Sequence, residues 1–97
     1  MSYNFSAEKH GEQNLQLLHE LLSAIELLEF FPVVISGSEV VLGISIPFKT
    51  MDDPRFETEL EKAMVHLVSD GFEVTDLFTG KAIVLDEIPK LARQISA

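Results

Sequence analysis

Residues 12–31 read EQNLQLLHELLSAIELLEFF, seven leucines in a chain whose formal net charge is −9. Wound at about 100° per residue, Glu12 to Glu29 forms a helix whose polar residues Gln13, Gln16, His19, Glu20, Ser23 and Glu26 gather in an arc of about 140°. Leu15, Leu17, Leu18, Leu21, Leu22, Ala24, Ile25 and Leu28 fill about 180° opposite, and Leu27 intrudes on the polar side. A helix resting on one sheet needs an apolar stripe of about 100°. The surplus resolves into two stripes. Leu15, Leu18, Leu22 and Ile25 suit a sheet, while Leu17, Leu21, Ala24 and Leu28 need another cover. That cover is the last helix of the same chain, a second copy in a twofold dimer, or a partner's peptide or helix. Leu17, Leu21, Ala24 and Leu28 are therefore the candidate apolar association face.

Working outward, Ser6 can cap a helix starting near Ala7, with Gly11 as a weak point that defers the regular turns to about Glu12. Phe31-Pro32 ends it, because a residue before proline avoids the α region. Pro32 to Ser36 and Glu39 to Ile46 are β-rich runs separated by Gly37-Ser38, a two-residue hairpin signal of type II′. Asp52-Asp53-Pro54 starts a second helix, with apolar Phe56, Leu60, Ala63, Met64, Leu67 and Val68 at helical spacing and Gly71 just past its end. Phe72–Phe78 and Lys81–Leu85 read as a second hairpin about Thr79-Gly80. Asp86 caps a last helix with the stripe Ile88, Leu91, Ala92 and Ile95.

The expected class is α+β, in the order α-β-β-α-β-β-α. The sheet is four- to five-stranded and mainly antiparallel, with helices packed mainly on one face. Residues 46–50 extend the second strand or add the fifth. Residues 1–97 make a single domain, with 1–6 expected to be flexible.

Composition bounds the function. With 46% hydrophobic residues the chain can build a core, and with no cysteine it has no disulfide, thiolate metal site or cysteine nucleophile. The charge of −9 sets it against nucleic-acid backbones and anionic membranes. No uninterrupted apolar stretch is long enough to span a bilayer, and MSYNFSAEKHGEQN lacks the apolar region of a secretory leader, so a cytoplasmic protein is expected.

Asp52, Asp53, Glu57 and Glu61 form a candidate acidic face, with Glu59 beside them. It either meets a basic partner or serves solubility and the helix dipole. The residues lack the ligand spacing of a calcium loop. Arg55, Glu59, Lys62 and His66 follow as a solvated stripe. No nucleophile elbow, phosphate-cradling glycine loop or convergent histidine set occurs, so no catalytic residue, cofactor or metal is expected. Phe48, Phe72 and Phe78 read as core.

The element order, small size, acidity and surplus apolar surface resemble the small dimeric chaperones that hold bacterial secretion effectors. The likeness is one of element order. The expected function is a small acidic binding or regulatory module, homodimeric or bound to another protein, acting by contact rather than catalysis. The alternatives are an inhibitor, immunity-type or secretion-chaperone-like protein presenting Asp52–Glu61, with Glu73, Asp76, Asp86 and Glu87, to a basic partner, and a small enzyme or enzyme subunit with two or more of His19, Glu20, His66 and Asp76 in a deep pocket.

Overall fold

The computed structural model describes residues 1–12 and 14–96; Gln13, assigned above to the polar arc, lies outside them. Its elements are β1 (Ser2–His10), α1 (Leu15–Ser23), β2 (Glu29–Ile35), β3 (Glu39–Pro47), α2 (Phe56–Ser69), β4 (Glu73–Asp76) and α3 (Ile88–Ser96). The fold is α+β. A four-stranded antiparallel sheet runs in the order β2-β3-β1-β4 and carries the helices on one face.

The first strand corrects the expected order. Ser2–His10 is a strand held on both sides, by β3 and by β4. Its period-two pattern explains why: Phe5 and Ala7 point into the core while Asn4 and Glu8 face solvent. Residues 2–6, expected as a flexible lead-in, are the first half of this strand, and Ser6 caps no helix. With a strand opening the chain, the order is β-α-β-β-α-β-α. The opening strand is an element that the order behind the secretion-chaperone likeness did not include.

The leucine helix is short. It opens at Asn14, whose side chain accepts from Leu17 N at 3.0 Å, and it ends at Ser23 rather than Glu29. Ser23 Oγ donates to His19 O at 2.8 Å, and the carboxylate of Glu59 captures the N–H groups of Glu26 and Leu27. The N–H groups of Glu26 and Leu27 that would have continued the helix are thus claimed by a tertiary partner, after Ala24 N and Ile25 N close the last turn on Leu21 O and Leu22 O. Ile25, Leu27 and Leu28 enter the core from this connecting segment.

The first hairpin forms where expected, but Gly37 does not take the positive φ that a type II′ turn requires. Ser36 holds the turn instead: its Oγ accepts from Glu39 N at 3.0 Å and from Ser38 N at 3.3 Å. Residues 48–52 form a 3-10 turn rather than a fifth strand. The second hairpin is half formed. Its return closes by a single bridge, Thr75 to Ala82, plus Ile83 N donating to Val74 O at 2.8 Å.

The core lies between the sheet face bearing Phe5, Val40, Leu42, Ile44, Ile46 and Val74 and the inner stripes of α2 and α3. Phe72 is buried as expected, but Phe48 is half-exposed and Phe78 is 83% exposed. Gly71 takes φ 96° just past α2, where Phe72 N donates back to Leu67 O. No helix among the described residues is long and apolar enough to cross a membrane.

Candidate functional site

The least committed element is α1. Of its five leucines only Leu18 is buried. Leu15, Leu21 and Leu22 are partly covered, and Leu17 is 59% exposed. The helix stands as a ridge between two clefts.

One cleft, about 340 Å3, lies between α1 and the outer part of the sheet. Leu15, Leu18, His19 and Leu22 form its helical wall, Phe30, Pro32 and Ile35 of β2 the opposite wall, and Leu42 its floor. The other, about 610 Å3, lies between α1 and α2. Leu17, Leu18 and Leu21 face Leu67 and Phe72 there, and Lys9, Glu12, Glu20, His66 and Asp70 stand around them. Leu15 and Leu22 of one stripe thus line the first cleft and Leu17 and Leu21 of the other line the second, with Leu18 in both, while Leu28 lines the first.

The four residues of the candidate association face separate. Leu17 and Ala24 are exposed and Leu21 is half-exposed. Leu28 is 3% exposed and belongs to the core. Helix α1 has ended before Ala24 and Leu28, so the spacing that grouped them no longer applies.

The acidic residues sit around the start of α2. Asp52, Glu57 and Glu61 are exposed, and Asp53 is half-buried. Asp53 accepts from Arg55 N at 2.8 Å and from the Arg55 guanidinium at 3.1 and 3.2 Å. Those hydrogen bonds hold the Asp53 carboxyl below its ordinary value, and they keep Arg55 firmly protonated. Arg55 also reaches Glu26 at 3.2 Å, and Arg93 lies 3.9 Å from Glu57. Two of the four acids are therefore already faced by arginines of the same chain.

Glu59 does not belong to a purely solvated stripe. It is half-buried, and its Oε1 accepts from Glu26 N at 3.0 Å and Leu27 N at 3.1 Å. Helical spacing alone cannot reveal such a role, because the partners lie some thirty residues away in another element.

Of the residues of the enzyme alternative, two share a cleft and two stand apart. Glu20 and His66 line the α1–α2 cleft, while His19 lines the opposite one. Asp76 is buried at the β4 turn, where it accepts from Tyr3 Oη at 2.6 Å and from the N–H groups of Phe78 and Thr79. It is an anchor for a tight turn. Burial and this hydrogen bond push the Tyr3 hydroxyl up to about 12. Among the described residues, no three His, Asp or Glu side chains gather as a metal site requires.

Comparison of the chain with protein-family models, with curated proteins and with solved structures finds no match.

Proposed function

We propose that this protein is a small acidic binding module that works through protein contact as a homodimer. The observation that carries the reading is α1 itself: a five-leucine helix that buries one leucine and borders two open clefts. Burying a leucine side chain fully is worth about 1.5–3 kcal/mol. Leu17 is exposed and Leu15, Leu21 and Leu22 are partly so, and contiguous apolar surface of this kind marks interaction sites.

The apolar ridge supports this better than the acidic face does. Asp53 and Glu57 are already faced by Arg55 and Arg93, which weakens their attraction for an outside cation. Light scattering coupled to size exclusion tests the reading. The expected mass is twice the 10.8 kDa of the chain. A constant monomer mass at every concentration would remove the homodimer.

A further inference from the structure

Resting on the homodimer reading, we infer that the second copy docks on the α1–β2 side, in a twofold contact that closes the cleft between His19 and Ile35 of each subunit. Four observations carry it.

The two edges of the sheet are treated differently. Beyond β4 the chain folds back, with Asp76 N donating to Lys81 O and Ile83 N to Val74 O, so that edge is covered. Strand β2 pairs only with β3 and is left open. It is also apolar: Ile35 is exposed on the cleft side, while Phe31 and Val34, paired opposite Gly43 and Val41, are exposed on the outer face of the sheet.

The open edge is unsuited to simple sheet extension. Phe48 N donates to Met1 O and Gly11 N to Ser38 O, which fixes the alternation along β1–β3. The residues of β3 that bond to β1 are then Val40, Leu42, Ile44 and Ile46, leaving Gly43 and Ser45 to bond β2. Pro32 pairs opposite Leu42, so its backbone faces outward, where it offers no N–H. The register also shifts between Pro32 and Val34. Proline and a bulge both blunt an edge against strand addition. What remains attractive there is side-chain surface rather than a ladder.

Charge selects the occupant. Two copies of this chain each bring −9. Contact between them is least opposed where neither presents acids. Residues 30–38, FFPVVISGS, contain no ionisable side chain. The cleft beside them is lined by no carboxylate, lysine or arginine. The α1–α2 cleft is charged: Glu12, Glu20 and Asp70 line it with Lys9 and His66, and Lys9 already pairs with Asp70 at 3.3 Å, so Glu12 and Glu20 leave it acidic on balance. A basic partner, in turn, would find no carboxylate in the cleft lining to pair with.

The cleft offers its own copy both a wall and a hollow. An apolar lip, Pro32 and Ile35, stands beside an apolar hollow of about 340 Å3. A twofold axis lets each lip enter the other hollow, the isologous arrangement that most homodimers use.

The test is sedimentation across concentration for the full chain and three variants, each first checked by circular dichroism. Ile35→Asp and His19→Glu place a charge on opposite walls of the cleft; His19 is exposed, so its replacement leaves the fold intact. Leu17→Asp places one in the other cleft. The expected result is a dimer for the native chain and for Leu17→Asp, with dissociation constants raised at least tenfold by Ile35→Asp and His19→Glu. A native chain that is monomeric throughout overturns the homodimer reading itself. A native dimer that His19→Glu leaves equally tight, or that Leu17→Asp breaks, keeps the dimer and overturns this surface.

Discussion

Glu59 Oε1 accepts from Leu27 N at 3.1 Å, and from Glu26 N at 3.0 Å, so one carboxylate of α2 fixes the segment that joins α1 to β2. Both donors would otherwise continue the helix. The interaction therefore decides where α1 stops and how Leu27 and Leu28 reach the core. Hydrogen bonds to a charged acceptor contribute about 1.5–3 kcal/mol. Glu59→Ala is expected to lower unfolding free energy by about that amount in a urea titration, and Glu59→Gln, which keeps an acceptor oxygen, to lose less.

Tyr3 and Asp76 give a pH signature. The chain has one tyrosine and no tryptophan, so near-ultraviolet tyrosinate absorbance reports a single group. Its pKa is raised to about 12 in the fold, against about 10 in an unfolded chain. The folded state thus keeps a proton that the unfolded state loses. The associated stability is complete below pH 10 and declines as pH rises from about 10 through about 12. The expected titration midpoint is near 12, and Tyr3→Phe is expected to flatten the alkaline loss of stability between those limits.

The two leucines that the sequence groups on one face should behave unlike each other. Leu28 is 3% exposed and packed in the core, so Leu28→Ala is expected to cost about 2–5 kcal/mol. Leu17 is 59% exposed, and Leu17→Ala is expected to stay within about 0.5 kcal/mol. Paired thermal or urea unfolding of the two variants measures the difference.

Gly71 closes α2 with φ 96°, a conformation that side chains resist. A β-carbon there would meet only Lys9 Cε, at an ordinary 3.6 Å. The expected loss for Gly71→Ala is therefore backbone strain alone, about 1–2 kcal/mol by unfolding. A larger loss would mean a steric clash.

The elements legible in the sequence are those whose signal is local. The Asp53-Pro54 start and Gly71 end bracket α2, Ile88, Leu91 and Ala92 anchor α3, and Ser36-Gly37-Ser38 joins the first hairpin. Strand β1 was equally local, since Tyr3, Phe5 and Ala7 alternate with Ser2, Asn4 and Ser6. Ser6 as a helix cap and the leucines downstream competed with that pattern for the same residues. The end of α1 was not local at all. Nothing between Ser23 and Glu29 breaks a helix; the interruption comes from Glu59, in another element. For the candidate site, the doubled apolar stripe was visible in the spacing of the leucines. Which stripe faces which cleft, and the acid-free character of the β2 side, depended on where the strands fell.

The contact surface is tested most directly by methyl NMR of the native chain over a dilution series. The α1–β2 contact predicts concentration-dependent shifts at the methyls of Leu15, Leu22 and Ile35, with Leu17 and Leu21 unmoved. Spectra that do not change with dilution, or shifts confined to Leu17 and Leu21, would contradict it.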